Sequence, residues 1–316
     1  MNYTLHQLQV FTKVAETQSI TKAAQELFLT QPGVSIQLKN FQDQFDVALT
    51  EVIGRKLFIT DFGKEIAAIA NDILQRAEEI NYKAHAFKGT LAGRLRIAVV
   101  STGKYVMPYF LSSFLRENPA VDLTMDVINK AGVIQRLTDN EVDFGLVSVL
   151  PDGLNILEEK LLENKLFLVG NGNHDRSLEP YDRGAFTKLP MIYREEGSAT
   201  RMIMEGFFER SKIVVEKKIE LTSNEAVKQA VIAGLGYSVM PLIGIRNELK
   251  IGELTVIPAV DFPISSEWRL IWLKSKKLSP VASEYLGYLK QNKEIVIKEK
   301  FAWINDVRRF KTQLSN

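Results

Sequence analysis

Three observations predict an α/β protein with an all-α N-terminal part. Two short helical patterns meet at a tight turn near residue 30, a long heptad-spaced helical pattern follows residue 60, and strand and helix patterns alternate from about residue 90 to 290. The 316 residues suffice for two or three domains, and a chain 46% hydrophobic and 25% charged has an ordinary globular composition. With no cysteine there is no disulfide framework and no thiolate metal site, which suits a reducing compartment. The opening MNYTLHQLQVF lacks a basic segment followed by an apolar one, and no run of about 18 apolar residues occurs, so the expected location is cytoplasmic with no membrane partner.

Residues 5–16 place Leu5, Leu8, Val10, Phe11 and Val14 at helical spacing. In Ser19 to Phe45, Ser19 is positioned as an N-cap and Ala23, Ala24 and Leu27 form a narrow stripe that lets another helix cross closely. Thr30 caps the next helix, with Pro32 in its first turn. At about 100° per residue Val34, Leu38, Phe41 and Phe45 share one side, while Pro32, Ser35, Ile36 and Lys39 share the other. A helix-turn-helix sets the start of its second helix into the major groove, which makes Thr30, Gln31, Pro32, Ser35, Ile36 and Lys39 the candidate DNA contacts. A plain helical hairpin with a solvated face has the same period, but an outward Ile36 suits contact with a thymine methyl better than solvation. Residues 1–62 carry five cations (Lys13, Lys22, Lys39, Arg55, Lys56) against six anions (Glu16, Glu26, Asp43, Asp46, Glu51, Asp61). A head this close to neutral binds phosphates weakly alone, and linked copies would offset the deficit.

The segment SITKAAQELFL-TQPGVSIQL resembles the N-terminal domain of the LysR-type transcriptional regulators, whose pattern runs S-x-T-x-A-A-x-x-L-x-x-[ST]-Q-P-[AG]-V-S-x-Q-[IL]. It departs from the common family pattern at Ile36, where relatives often carry Arg, and at Leu49-Thr50-Glu51-Val52, where they tend to have L-F-E-R. The resemblance implies double-stranded operator DNA as partner, a small-molecule effector, a homodimer that pairs into a dimer of dimers, and contact with RNA polymerase.

Two β-prone runs flank Gly54-Arg55-Lys56 and predict a hairpin wing, with Arg55 either entering a minor groove or lying in a solvated turn. From Phe62 to Phe87 a long helix is expected, capped by Thr60 and followed by Gly89. Ile66, Ile73, Ile80 and Phe87 recur every seven residues, with Ala70, Ala77 and Ala84 four positions after the first three. That stripe predicts pairing with another subunit, the alternative being the chain's own C-terminal part. In the resembled family this segment is the linker helix of an antiparallel dimer. The expected division is a winged helix-turn-helix over 1–61, a linker over 62–89, an effector domain over 90–291 and an extension over 292–316.

After Gly93, strands are expected at Arg94 to Val100, Val121 to Ile128, Val142 to Val149, Phe167 to Val169, Met191 to Tyr193, Ile213 to Leu221, Tyr237 to Met240 and Trp268 to Leu273. Helices fall between most of them, which implies a mostly parallel sheet covered on both faces. Polar stretches at Glu163 to Lys165 and Asp261 to Ser266 are expected crossovers, giving lobe I (about 90–163 and 266–291) and lobe II (about 164–265) as in type 2 periplasmic binding proteins. Ligands of such sheets bind beyond the strand ends, at helix N-termini. Ser101, Thr102, Gly103 and Lys104, then Asn129, then Ser198, Thr200 and Arg201, and finally Asn224 stand at such junctions and predict a small anion in the cleft. Capping alone explains any one of them.

Val99 to Tyr105, Ser223 to Val231 and Phe262-Pro263-Ile264 are similar to segments of the CbbR-type branch, which controls Calvin-cycle operons. That branch implies a phosphorylated metabolite or similar anion as effector. Residues 292–316 exceed the usual family length, and Ile295, Ile297, Phe301, Trp303, Ile304, Val307 and Phe310 fit an amphipathic helix. From Lys290 on, Lys290, Lys293, Lys298, Lys300, Arg308, Arg309 and Lys311 oppose Glu294, Glu299 and Asp306, so this end either docks, lends charge to DNA binding, or is a solvated surface helix. The three histidines, His6, His85 and His174, lie in different segments, no metal-ligand spacing occurs and no cofactor motif appears, which argues against an enzyme. A solute-binding protein with a helical extension is the alternative, disfavoured by the helix-turn-helix.

Overall fold

The computed structural model describes residues 2–54, 56–87, 90–174, 180–215 and 218–305. They form two units, 1–92 with 139–141, and 93–138 with 142–316.

In the first unit, α1 (Leu5–Thr17) opens on a reciprocal cap between Thr4 and Gln7, and α2 (Ile20–Glu26) opens on Ser19. The next helix, α3 (Gln31–Gln42), opens on Thr30, whose hydroxyl accepts the Gly33 N–H at 3.2 Å. The stripes read from the sequence meet in one core: Leu8, Phe11 and Val14 pack with Ala23, Ala24, Val34, Leu38 and Phe41. Phe41 sits 5.1 Å from Phe11 and 5.2 Å from Phe45, ring centre to ring centre. The wing is present as β1 (Thr50–Ile53) paired antiparallel with β2 (Lys56–Ile59), and Arg55 lies outside the described residues.

Helix α4 (Asp61–Phe87) runs 27 residues, about 40 Å at 1.5 Å per residue. The Thr60 hydroxyl accepts from the Gly63 N–H at 2.9 Å. Gly63 is required by closeness, since a Cβ there would stand 2.1 Å from the Leu49 carbonyl oxygen. The heptad stripe is divided rather than wholly left for a partner. Ile66 and Ile73 pack on the core beside the buried Ala70, whereas Ile80 is 70% exposed. The reason is that α1 lies along the first half of α4 and uses that apolar face. The side chain of Phe87 lies outside the described residues.

The second unit contains β3 (Ala92–Val100), α5 (Met107–Glu117), β4 (Ala120–Ile128), α6 (Lys130–Thr138), β5 (Phe144–Val147) and β6 (Ile156–Asn171). Then come β7 (Met191–Arg194), α7 (Ala199–Arg210), β8 (Lys218–Leu221), α8 (Asn224–Ile232), β9 (Ser238–Pro241), α9 (Arg246–Ile251), β10 (Leu254–Val256), β11 (Ile264–Leu273) and α10 (Pro280–Val296). The expectation of a mostly parallel sheet needs correction. One seven-stranded mixed sheet runs β10-β6-β11-β5-β3-β4, with β9 also on β6, and β6 meets β9, β10 and β11 antiparallel. Parallel pairing occurs between β3 and β5 and between β7 and β8.

The cause is the way the chain passes between lobes. It leaves lobe I on β6 and returns on β11, and the two expected crossovers are paired strand, Asn164 opposite Ser266, with the Asn164 amide donating to the Ser266 hydroxyl at 3.0 Å. The first half of β6 is rich in charge and hides its strand character, because ion pairs hold it. Arg269 on β11 reaches Glu158 at 3.1 Å, and Lys293 on α10 reaches Glu159 at 2.6 Å. Lobe I is cored by Phe114, Phe144, Trp272 and Tyr285, and lobe II by Phe186, Met191, Phe207 and Phe208.

The picture of residues 292–316 as a solvated helix is also corrected, for the part that is described. After α10 the helix widens at Ile297–Phe301 and tightens at Ala302–Asn305. Phe301 and Ile304 are buried, and the Phe301 ring stacks 5.7 Å from Phe110 of α5. Val307 and Phe310 lie outside the described residues.

Candidate functional site

On α3 the side opposite the core carries Gln31, Pro32 and Lys39 exposed, Ser35 half-buried and Ile36 57% exposed. Thr30 is occupied as the cap, so its hydroxyl fixes the helix start. The turn before it holds Phe28 in the left-handed region, φ 55°, and almost fully exposed.

In the second unit, the expected cleft residues fall on two segments of lobe I and two of lobe II. Beyond β3 stand Ser101 and the buried Thr102. Gly103 is closely packed, since a Cβ would press on the Leu146 side chain at 2.9 Å and the Val99 Cβ at 3.2 Å. Beyond β4, the Asn129 side-chain oxygen accepts the Gly132 N–H at 2.9 Å and caps α6. Its amide nitrogen faces Gly197, which has φ 81° and whose added Cβ would meet Ala131 at 3.2 Å, so the lobes touch there. Ser198, buried, leads into α7 without capping it through its side chain, and Thr200 follows half-buried. Asn224 begins α8, is 3% exposed, and has an amide nitrogen with no hydrogen-bond partner among the described residues.

Two expected anion holders go elsewhere. Arg201 is tied to Glu205 and Glu220 at 2.8 Å each and donates to the Arg194 carbonyl at 3.1 Å, because its position on α7 sets Glu205 one turn ahead. Hydrogen bonding to Glu205 raises its pKa above the ordinary value and fixes its charge. Lys104 turns over its own Tyr105 ring, 5.1 Å from the centroid, and lines a neighbouring cavity.

Two cations not singled out by the sequence reading lie at the cleft instead. Arg194, the last residue of β7, is 4% exposed and forms a two-point pair with Glu195 at 2.7 and 2.8 Å. Its third nitrogen donates across the cleft to the Ser101 hydroxyl at 3.0 Å. Lys130, buried at the start of α6, donates to the Leu150 carbonyl at 3.0 Å and lies 3.8 Å from the Met202 sulfur of lobe II. Burial holds its pKa below the ordinary 10.5, with the Asp152 charge acting in the opposite direction. Both were within reach of strand-end logic, Arg194 closing the strand begun at Met191 and Lys130 following Asn129.

Residues 5–64 match the "Bacterial regulatory helix-turn-helix protein, lysR family", and residues 88–294 match the "LysR substrate binding domain". The chain belongs to the LysR family. This LysR regulator is 36% identical over 296 residues to the HTH-type transcriptional activator CmpR of Synechocystis sp., covering 93% of this chain and 97% of that one. It is 34% identical over 290 residues to a RuBisCO operon transcriptional regulator of Acidithiobacillus ferrooxidans, 90% and 93% covered. The solved regulatory domain of CcmR from Synechocystis PCC6803, in complex with 2-PG, aligns with TM-score 0.61 and 32% identity over 64% of this chain and 98% of that one. The resemblance to the Calvin-cycle branch drawn from residues 99–105, 223–231 and 262–264 therefore holds along the chain. As a LysR-type DNA-binding transcriptional regulator, it couples the α3 head to a two-lobed effector domain.

Proposed function

We propose that a small anion, a phosphorylated metabolite or a similar species, binds between the lobes and changes the grip of the heads on operator DNA. Arg194 carries this reading. A buried guanidinium that already spans the cleft to Ser101 can trade that hydroxyl for a ligand oxygen at little reorganisation, and charge-assisted bonds of this kind are the strong ones. The unpartnered amide of Asn224 and the buried ammonium of Lys130 add donors, with Thr102, Ser198 and Thr200 beside them. The 2-PG bound by the CcmR domain is an anion of the expected kind. A ligand of this sort acts by favouring one arrangement of the lobes over another, so its effect on DNA equals its difference in affinity for the two.

The working form is a homodimer built on the exposed half of α4 around Ile80, and a dimer of dimers on DNA, where effective concentration offsets the weak charge of each head. Gln31, Ser35, Ile36 and Lys39 meet base edges and phosphates, and Arg55 belongs with them. The protein acts in the cytoplasm beside RNA polymerase, and the cleft senses rather than catalyses; among the described residues no helix is long and apolar enough to cross a membrane. The test is calorimetry and thermal melting with 2-PG. Binding at 100 times Kd stabilises by about 2.7 kcal/mol, a rise of several degrees, and Arg194→Gln should remove it. If neither 2-PG nor other small phosphates raise the wild-type melting temperature, the proposal falls. Ile80→Asp should halve the assembly mass by light scattering, and an unchanged mass would refute the pairing.

A further inference from the structure

Beside the cleft lies a cavity of about 310 Å³ whose wall is completed by the C-terminal segment. Lys104 enters it from lobe I, Arg246 from α9 of lobe II, and Lys300, Phe301 and Trp303 from beyond α10. The last three follow residue 294, where the match to the effector domain family ends, so this wall is added by the extension. Its cations are weakly neutralised. The Nε of Arg246 is buried with no hydrogen-bond partner among the described residues, and its guanidinium lies 4.5 Å over the Trp303 ring. Lys300 has a long ion pair with Glu299, 3.8 Å, and Lys104 rests over Tyr105. Lys228 behaves differently, being matched by Glu225 at 2.8 Å and Glu248 at 2.7 Å, which makes it a structural member of the wall.

We infer that this cavity is a second ligand site, for an anion that carries a flat ring. Three cations with unspent donors set the charge of the ligand, and the rings of Tyr109, Phe301 and Trp303 set its shape, since cations and aromatic faces together hold a charged group and a planar one. Its volume is at the lower limit for ligand pockets and suits one ring with one phosphate or carboxylate. An occupant would touch both lobes and the C-terminal segment at once. The site therefore offers a second chemical input to the effector domain, independent of the reading of the cleft.

The experiment uses the full chain with phenyl phosphate as probe, against inorganic phosphate and benzyl alcohol, followed by calorimetry and tryptophan fluorescence. Of the three tryptophans, Trp268 and Trp272 are buried within lobe I, so Trp303 is the reporter at the cavity. Phenyl phosphate should quench it saturably, Trp303→Phe should abolish the quench, and the double variant Arg246→Gln with Lys300→Gln should weaken binding at least tenfold. Arg194→Gln, altered only in the cleft, should show the same saturable quench of Trp303 by phenyl phosphate as wild type, whatever phosphate binding the cleft itself loses. Lys300→Gln alone, at a half-exposed side chain, keeps the fold and should still weaken binding severalfold. Absence of binding, retention of full affinity in the double variant, or loss of the quench in Arg194→Gln alone would overturn the assignment. Inorganic phosphate binding as tightly as phenyl phosphate would overturn the requirement for a ring.

Discussion

On α3 the candidate DNA contacts come from nine consecutive residues, Gln31 to Lys39, on the side away from the core. In the cleft the candidate ligand contacts come from strand ends as far apart as Ser101 and Arg194, 93 residues along the chain, and they are buried or half-buried. The first arrangement needs only a correctly capped helix, so its affinity is limited by solvent and salt. The second exists only when both lobes are folded and close, and its few donors act in a low-dielectric setting where each is stronger. A surface reader gains by repetition. A buried reader gains by enclosure.

If that contrast is right, the largest effect belongs to Phe41→Ala. It should destabilise the head by about 3–5 kcal/mol and abolish operator binding, while the melting of the effector domain and its response to 2-PG stay as in wild type. A single shared loss in calorimetry would show that the two units do not fold separately. Next, Arg194→Gln should cost about 1.5–3 kcal/mol of ligand affinity, roughly tenfold or more, with DNA affinity in the absence of ligand unchanged. Lys130→Met tests enclosure from the other side. Because burial lowers the Lys130 pKa, the folded state disfavours its charge, so stability should rise as pH climbs from that lowered value toward 10.5. The methionine variant should remove that slope and melt higher at pH 7, yet bind an anion less well. Smallest is Lys39→Gln, which should leave sequence preference intact and reduce the salt slope of DNA binding by about 0.9.

The head was legible because its signals are local. Ser19, Thr30, Pro32 and the Val34 to Phe41 spacing lie within a few residues of what they determine, and the caps of α2 and α3 and the core follow from them. The stripe of α4 was half legible. Heptad spacing shows that Ile66, Ile73 and Ile80 share a face, but α1 is the neighbour that claims the first two. In the effector domain, strand ends announced the cleft, whereas partner choice did not show. Nothing near Arg201 in sequence reveals Glu220, nor does Arg194 announce Ser101. The Trp268 to Leu273 part of β11 was legible as a strand, but the first half of β6 escaped notice where charged residues such as Glu158 and Glu159, paired to Arg269 and Lys293, replaced the usual alternation.

That pair of strands also governs how the domain can move. Both lobes are sewn onto one sheet through β6 and β11, ten residues of β11 lying against β6 with a register shift at Trp268/Arg269. Bending a continuous ladder of this kind is elastic: displacement is small, work is stored in it, and the sheet returns when the load is lifted. A domain built so is expected to shift its lobes by small, reversible steps rather than to swing on a free hinge.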